Sequence, residues 1–559
     1  MKRFFYAPLI LMLLFLCFPG ETGAQTPVQK IEIFIRLWGF LKYHHPDVAA
    51  GKSDWDSVFM ANIEDIRKTS SKEKFGQQLL SIIGASGSDD KRVAAIPADE
   101  LFNKNFNARW MQSPFLNAAL KVRLQEIYDH RNQGPNRYIK LQNMTADYSG
   151  EKTYEDIGFP DIRYRLLFLA RFYNAINYFA PYKYLIGKEW DSMLSRFIPE
   201  MIAANDTTDY YKTLLKLAVT LNDGHSQVSS SRNYSIIKDN IFGRYTAPFY
   251  TTIVDGNVVI TKLANDSLCR KANIRIGDIV TTVGKEPVSV RIKRLKPYVS
   301  ASNENSRNHY LNWVLFDTPD QNQQLTLKRA GQLLKTNAAC ILSTEKKWQD
   351  ITGYTGNETG YKTIGNSIAY VYASQIWKGN LEQIKTLVKS KQAVIFDVRN
   401  YPNNDEFYNI FDMFLPDSRP INYSLVFDPE NPGYFKWELS PRLGNTNKNI
   451  YSGKVLILAD ERSQSQGEYS VMALQIIPGT VTIGRQTAGA DGIVTQIPMG
   501  GSLSISYSGY GIYYLDRSGT QQTGVKIDIP VRQTLGAVLQ NKDVILEKAL
   551  QYLSSKGIN

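Results

Sequence analysis

Residues 454–475 have the sequence KVLILADERSQSQGEYSVMALQ, and this stretch decides how the C-terminal part of the chain folds. The run VLILA is short and fully apolar, which is typical of a strand covered on both faces of a sheet. A helical pattern begins close to Gly467, so Ser463 and Ser465 lie in the turn between strand and helix. Free backbone N–H groups at a helix start stabilise a developing negative charge. Such a serine is also a common N-cap, so its position alone leaves both roles open.

The surrounding segments predict a mixed α/β domain over residues 355–540. Fully apolar or alternating strands are expected at SIAYVYA, AVIFDV and TVTIG, and a helix at LEQIKTLVKS. The last part of the chain, residues 541–559, predicts a final helix. The short, fully apolar strands among them suit a covered sheet.

Residues 240–338 predict a smaller, β-rich module. FYTTIVDGNVVITKL gives two strands around an Asp-Gly turn. The following residues fit A-x-I-x-x-G-D-x-V-x-x-V-G, from Ala272 to Gly284, which is similar to the core signature of PDZ domains. The resemblance implies a peptide-binding module in which an extended peptide adds a strand to a sheet edge.

Residues 25–235 predict a helical region that contains an internal repeat. RLWGFLKYHHP and RFYNAINYFAP begin at Arg36 and Arg171, and Trp-Asp-Ser follows each at the same spacing. The two copies, about residues 30–60 and 165–195, are expected to form two packed helical hairpins. Between them, residues 87–161 predict a long loop with a short helix near residues 116–130. The adjacent His44 and His45 are interpreted as packing or surface residues, since two neighbours on a helix point in different directions.

Several motifs together resemble the tail-specific, or carboxyl-terminal processing, serine peptidases and their tricorn-like relatives. The turn fits the pattern S-x-S-x-x-E, with Ser465 at the nucleophile's place and Glu468 as a supporting residue. GRQTAG resembles the family's G-x-x-T-x-G loop, VIFDVRNYPNN its oxyanion segment, and GSLSIS and GVKIDIPV its closing strands. LNDGHSQV resembles its L-x-D-G-H segment. The motifs occur in the family's order, and they imply a crotonase-like catalytic fold.

Departures from the family pattern change the expected catalytic groups. The lysine that serves as base in carboxyl-terminal processing peptidases is replaced by Ala490, so a Ser-Lys dyad is not expected. Tricorn-like relatives use a histidine from the segment that here contains His225, and a neutral imidazole can take the serine proton. Gln521 stands about where their glutamate falls, and an amide oxygen can orient an imidazole.

The oxyanion hole is expected to use backbone N–H groups of Gln466 and Asn403. The family's Gly-Gly pair in this segment is here Asn403-Asn404, which keeps the N–H groups but changes the backbone freedom that glycine provides.

Composition and charge narrow the remaining possibilities. The 559 residues imply several domains, and the net charge of +12 is spread along the chain without a basic run that would match nucleic acid. Residues 1–24 predict a secretory signal peptide cleaved after Ala24, and no later apolar run reaches membrane-spanning length. The protein is therefore expected in the periplasm or outside the cell. Cys269 and Cys340 leave a disulfide and two free thiols equally open.

The sequence thus predicts a multidomain, exported serine-type endopeptidase that acts on unfolded or tail-presented polypeptides without a cofactor or metal. An alternative is a catalytically impaired relative that binds peptides, in which Ser465 and His225 lie too far apart to bond. A second alternative is a hydrolase of non-peptide acyl compounds, which would share the Ser-His chemistry. The oligomeric state is left open.

Overall fold

The fold was analysed in a computed structural model, which describes residues 26–84, 92–93, 101–230, 234–346, 360–402 and 405–559. The predicted signal peptide and its cleavage site lie outside these residues. Within the described ranges no helix is both long and apolar enough to cross a membrane. Cys269 and Cys340 are free thiols, and Cys269 is buried.

The N-terminal part of the chain is helical. Its helices are α1 (Pro27–His44), α2 (Pro46–Ala49), α3 (Trp55–Lys68), α4 (Lys72–Ile83), α5 (Ala118–Asp129), α6 (Ile162–Phe179), α7 (Lys188–Asp191), α8 (Met193–Ala203) and α9 (Thr207–Val219). Three short strands accompany them: β1 (Lys140–Gln142), β2 (Thr145–Asp147) and β3 (Val228–Ser230). The short helix predicted near residues 116–130 is confirmed as α5.

The two repeat copies have matching structures. Each begins with an 18-residue helix, α1 or α6. In the first copy Trp38 and Trp55 each donate an indole N–H to the other's backbone carbonyl. In the second copy Tyr173 stacks on Trp190, with ring centroids 5.2 Å apart. In each copy the residue two positions after the first arginine contacts the tryptophan of Trp-Asp-Ser, so the predicted helical repeat is present in the structure.

Helices α1 and α6 approach closely where Gly39 faces Asn174. Asn174 is fully buried and donates from Nδ2 to the carbonyls of Ile35 on α1 and Ala170 on α6. A Cβ atom added at Gly39 would lie 1.9 Å from Asn174 Cγ, which is far inside contact distance. Glycine at this position therefore permits the helix crossing.

We expect Gly39→Ala to lower the free energy of unfolding by about 1–3 kcal/mol, because the added methyl group forces buried atoms apart. Urea unfolding followed by tryptophan fluorescence measures the change. Gly158→Ala is the matched control, since a Cβ atom there meets nothing within 4 Å. Equal stability of the two variants would contradict this account of the crossing.

The middle part of the chain is β-rich and is built around one six-stranded sheet. Its helices are α10 (Tyr234–Phe242), α11 (Asp266–Lys271), α12 (Val288–Leu295) and α13 (Glu304–Leu311). Its strands are β4 (Tyr245–Thr246), β5 (Phe249–Val254), β6 (Asn257–Leu263), β7 (Ile279–Val283), β8 (Glu286–Pro287), β9 (Asp317–Thr318), β10 (Asn322–Arg329), β11 (Gln332–Ala339) and β12 (Ile341–Leu342).

The order in this sheet is β11-β10-β7-β6-β5, with β8 on β7, so β5 is an edge strand. The predicted turn between β5 and β6 is confirmed, with Asp255 and Gly256 at φ 48° and 73°. Thr251 Oγ1 on β5 donates to Asn312 Oδ1 at the end of α13, at 2.7 Å. The assignment of this module to the PDZ fold remains a prediction.

The C-terminal part alternates strands and helices around a second six-stranded sheet. Its helices are α14 (Leu381–Lys389), α15 (Gln466–Gln475), α16 (Leu535–Leu539) and α17 (Val544–Ser554). Its strands are β13 (Tyr361–Ile364), β14 (Ile368–Tyr372), β15 (Ala393–Asp397), β16 (Arg419–Pro420), β17 (Tyr423–Phe427), β18 (Phe435–Leu439), β19 (Arg442–Leu443), β20 (Lys454–Ala459), β21 (Val481–Gly484), β22 (Val494–Pro498), β23 (Leu503–Ser508), β24 (Gly511–Tyr513) and β25 (Ile529–Pro530).

The sheet order is β13-β14-β15-β20-β21-β25, and all neighbours except β13 and β14 pair in parallel. The strands and helix predicted here are confirmed, as is the final helix, α17. The whole molecule is a mixed helical and β-rich multidomain fold, as expected. The domain boundaries and the crotonase-like assignment remain predictions.

A small sheet joins the N-terminal and C-terminal parts of the chain. Strands β22 and β23 form a hairpin, and β3 from the helical part pairs antiparallel with β23. Alternate residues of β23, among them Ile505 and Tyr507, are buried in the core of the helical part. Ser504, Ser506 and Ser508 point to the opposite face. The segment that contains His225 is thereby brought onto the serine face of β23.

Candidate active site

Ser465 occupies the turn between β20 and α15 in a conformation that L-residues rarely adopt. Its φ is 53° and its ψ is −119°. A non-glycine residue held there costs on the order of 1–3 kcal/mol, and such strain occurs where the surrounding structure fixes it. The strand enters the turn at the carboxyl end of a parallel sheet, where ligands of α/β folds commonly bind. The turn therefore presents the Ser465 side chain at a defined place.

Backbone N–H groups surround this turn. The Ser465 N–H donates to the Ala490 carbonyl at 2.9 Å, and the Gly467 N–H donates to Gln464 at 2.8 Å. The Gln466 N–H, at the first position of α15, makes no hydrogen bond with a described residue. The Gln466 side chain bonds Tyr408, whose hydroxyl accepts from Nε2 at 2.6 Å. A free N–H beside Ser465 is what an oxyanion hole requires.

The segment that follows β15 lies against the start of α15. Ser463 Oγ donates to the Val398 carbonyl at 2.8 Å, which fastens the turn to this segment. A Cβ atom on Gly467 would lie 4.0 Å from Pro402 Cδ. Asn403, the other expected oxyanion residue, lies outside the described residues, so its role stays a prediction.

His225 is held on one side by a chain of hydrogen bonds. Its Nδ1 lies 2.9 Å from Ser508 Oγ, which in turn lies 3.0 Å from Asp223 Oδ1. The carboxylate can only accept, so Ser508 donates its proton to Asp223 and accepts from Nδ1–H. This assigns the proton of the neutral imidazole to Nδ1. The other nitrogen, Nε2, is left with a free lone pair.

The electrostatics of His225 keep the imidazole neutral. The side chain is buried, and desolvation lowers its pKa, while the charge of Asp223 opposes this by raising it. The lowering wins, so the neutral form persists to lower pH than for an exposed histidine. A neutral, oriented imidazole with a free Nε2 can act as a base.

The loop of His225 packs directly on the loop of Ser465. A Cβ atom added at Gly224 would lie 3.1 Å from Ala490 Cβ and 3.3 Å from Gln464 Nε2. In the structure, however, the side chains of Ser465 and His225 form no hydrogen bond with each other. Catalytic hydrogen bonds are often long without substrate and tighten only when it binds.

The contact of Gly224 with Ala490 gives a physical reason why no lysine can serve as base here. Ala490 is fully buried, and the Gly224–His225 loop fills the space beside its Cβ. A lysine side chain at residue 490 would have to displace the loop that carries His225. A lysine base at residue 490 and the loop that carries a histidine base would therefore occupy the same space.

Gln521 does not reach His225. Its side chain is 4% exposed, and neither amide atom makes a hydrogen bond with a described residue. The imidazole is held by Ser508 instead, which the motif comparison did not single out. A signal was present in the sequence: serines alternate in LSISYS, so Ser504, Ser506 and Ser508 share one face of a strand. Which of the three meets His225 depends on strand pairing, which the alternation does not give.

Glu468 lies buried beneath the turn and binds the loop that precedes Ala490. Its carboxylate accepts from Thr487 Oγ1 at 2.5 Å, from the Gly489 N–H at 2.8 Å and from the Ala490 N–H at 2.9 Å. Burial raises its pKa to about 7, although these donors oppose the rise. Asp491 is also buried, and desolvation, with a smaller contribution from the charge of Glu468, raises its pKa well above normal. Glu468 therefore supports the site as a clamp on this loop.

Glu468 gives the protein a pH-dependent stability. Its folded-state pKa of about 7 exceeds the ordinary 4.5, so its stabilising contribution is complete below about 4.5 and is lost as the pH rises through 7. We expect the thermal midpoint of Glu468→Gln to fall less between about pH 5 and 8 than that of the wild type. Glu547→Gln, at an exposed glutamate in the first turn of α17, is the control. Parallel pH profiles for wild type and Glu468→Gln would contradict the shift.

His44 is a packing residue, and the described part of the chain contains no metal centre. His44 is buried, and its Nδ1 lies 3.0 Å from the Phe40 carbonyl. Among the described residues no three His, Cys, Asp or Glu side chains are grouped so as to hold a metal ion.

Comparison with known proteins bears on the C-terminal part. Residues 367–531 match the sequence profile of peptidase family S41. No curated protein matches the chain. The fold is similar to that of mature CPAF solved with lactacystin, with a TM-score of 0.54 at 13% identity over 70% of this chain and 97% of that one. The photosystem II D1 C-terminal processing protease also matches, with a TM-score of 0.37 at 14% identity over 68% of this chain and 98% of that one.

The matched residues include the strained turn with Ser465, the clamp at Glu468 and the strand that carries Ser508. Residues 367–531 therefore carry a domain that matches peptidase family S41, in agreement with the tail-specific peptidase resemblance of the sequence motifs.

Proposed function

We propose that this chain hydrolyses peptide bonds of unfolded or tail-presented polypeptides through an acyl-enzyme, with Ser465 as nucleophile and His225 as base. The observation that carries the proposal is the hydrogen-bonded chain from Asp223 through Ser508 to His225 Nδ1, which leaves Nε2 free on a loop that packs against the Ser465 turn. A base in turn oriented by a third group is the arrangement that activates a serine.

The reaction follows from these groups. Ser465 Oγ attacks the carbonyl carbon while its proton moves to His225 Nε2, and the carbonyl oxygen becomes an oxyanion. The Gln466 N–H donates to this oxyanion, and the Asn403 N–H is proposed as a second donor. The C–N bond then breaks as His225 returns the proton to the leaving amine. Water, deprotonated by His225, releases the acyl group and restores Ser465.

The hydrogen bond from His225 Nδ1–H to Ser508 is available in both protonation states of the imidazole, because Nδ1 carries a proton in each. As the imidazole gains a proton, the positive charge forms near the buried Asp223, whose charge raises the pKa of His225. Gln521 remains a predicted third member of the site, but its amide would have to move to bind the imidazole.

A second candidate function is peptide binding without catalysis. The absence of a hydrogen bond between Ser465 and His225 favours it, because such a relative was expected to show this separation. Asn403-Asn404 in place of Gly-Gly also favours it. Both candidates have polypeptides as partners, and both keep the proposed export with cleavage after Ala24.

Labelling with a fluorophosphonate probe separates the two candidates. We expect the probe to modify Ser465 of the purified protein, and His225→Ala to slow the modification by about a hundredfold or more, because the serine proton then has no acceptor. Mass spectrometry identifies the modified residue. His130→Ala, which removes a histidine remote in sequence from the site, is the control and should label like the wild type.

Absence of labelling at Ser465 in folded protein would favour the peptide-binding candidate. If Ser465 is labelled, the rates on a simple ester and on an unfolded polypeptide distinguish a peptidase from a hydrolase of small acyl compounds. Turnover confined to esters would overturn the proposed substrate class.

Ser508→Ala tests the orientation of the base. We expect the labelling rate to fall at least about tenfold, since the imidazole loses the hydrogen bond that fixes its proton on Nδ1. Ser504→Ala is the matched control, because Ser504 lies on the same strand and face and its hydroxyl bonds Ser229 and Gln496 among the described residues. Equal rates for the two variants would exclude an orienting role for Ser508.

A further inference from the structure

Residues 302–310, which include most of α13 in the β-rich part of the chain, bond to three loops of the candidate active site. Ser302, Asn303 and Tyr310, which we call the α13 clamp, each make a side-chain hydrogen bond to a loop that carries a site residue. These loops are the His225 loop, the Ser465 turn and residues 487–490. The bonds of Asn303 and Tyr310 join residues more than 150 positions apart in sequence. Together with the bond of Ser302, they start from one short segment of the chain.

Asn303 makes the most bonds of the three. Its Nδ2 donates to the carbonyls of Thr487 at 2.8 Å, Ala488 at 3.0 Å and Gln522 at 3.3 Å. Its Oδ1 caps α13 by accepting from the Ser306 N–H at 3.0 Å. The amide nitrogen of Asn303 therefore bonds the loops of the site, while its amide oxygen caps the helix.

The loop that Asn303 holds is the one that holds the nucleophile. The Ala490 carbonyl, two residues beyond Ala488, accepts the Ser465 N–H at 2.9 Å. Glu468 binds the same loop at the Gly489 and Ala490 N–H groups. Asn303 thus bonds two carbonyls of this loop and Glu468 bonds two of its N–H groups, so the two side chains hold different backbone groups of one loop.

The other two residues of the clamp act on the base and on the turn. Ser302 Oγ accepts from the N–H of Gly224, the residue before His225, at 2.8 Å. The Tyr310 hydroxyl donates to Oε1 of Gln464, the residue before Ser465. Burial raises the pKa of Tyr310, so its hydroxyl stays protonated and can donate throughout the physiological pH range.

We propose that the α13 clamp positions the catalytic groups, so that the site is incomplete without this segment of the β-rich part. The inference rests on the proposed function and assigns no chemical step to the clamp. Ser302, Asn303 and Tyr310 are positioning residues, because they reach His225 and Ser465 only through the loops that carry them. Because no hydrogen bond joins the side chains of His225 and Ser465, the hydrogen bonds of the clamp set the distance between them.

Asn303→Asp tests the proposal with little effect on the helix, because aspartate is as good an N-cap as asparagine. The change replaces a donor by a carboxylate oxygen that faces three carbonyls. We expect kcat on a simple ester to fall about tenfold with little change in KM. Asn265→Asp is the matched control, since Asn265 caps α11 through the Leu268 N–H. It should keep the wild-type kcat.

The pH profile gives a signature that a loss of stability would not produce. A half-buried carboxyl group that faces carbonyls has a raised pKa and, when protonated, donates one hydrogen bond again. The activity of Asn303→Asp relative to the wild type should therefore recover as the pH falls. A constant ratio across pH, or a kcat equal to that of Asn265→Asp, would overturn the proposal.

Amide hydrogen exchange tests the clamp independently of activity. Exchange at residues 487–490 should be faster in Asn303→Asp, and exchange at residues 463–466 faster in Tyr310→Phe, than in Asn265→Asp. If the wild type is not labelled at Ser465, the proposed function fails while the exchange result still decides whether the clamp orders these loops. If the wild type is labelled at Ser465 but exchange and kcat are unchanged in the variants, the proposed function stands and the positioning role of the α13 clamp is overturned.

Discussion

The carboxylate of Asp223 is the constraint on which the candidate site depends. It is 5% exposed and accepts from the backbone N–H groups of His225 and Ser508 and from the Ser508 hydroxyl. A buried charge needs several donors to offset its desolvation, and here the His225 loop and strand β23 both supply them. These segments are 285 residues apart in sequence. Removing the carboxylate would therefore separate the loop of the base from the strand that orients it.

The same constraint explains why the base comes from the helical part of the chain. Strand β3 directly follows the His225 loop and pairs with β23, and the apolar face of β23 packs into the helical core. Hydrophobic burial on one face thus fixes which serines point to the other. The catalytic chemistry of the proposed site uses polar groups whose positions are set by apolar packing behind them.

The sequence predicted the residues whose roles follow from local patterns. Ser465 could be found because a strand, a turn and a helix follow each other within 22 residues, and the structure has all three. His225 could be found from its motif. Ser508 could not, because its partnership with His225 depends on the register between β3 and β23. Gln521 was chosen by its distance from a motif, and the structure leaves its amide without a hydrogen bond to a described residue.

The helical repeat, the β5–β6 hairpin and the alternating strands and helices of the C-terminal part were recognisable from sequence patterns, whereas contacts between the parts were not. Residues 302–310 contain no motif, and their side chains are common surface types. Their importance appears only where α13 meets the loops of the site. Interfaces between parts of one chain are specified by complementary positions, which no local pattern in the sequence records.

The third strand of the small sheet limits how far the protein can be divided. A fragment that begins near residue 360 would keep Ser465 and Ser508 but lose β3, Asp223 and His225. It would also expose Ile505 and Tyr507, which are buried in the helical core. Such a fragment should aggregate rather than retain partial activity. The helical and C-terminal parts therefore form one folding unit around this site, although the sequence divides into three parts.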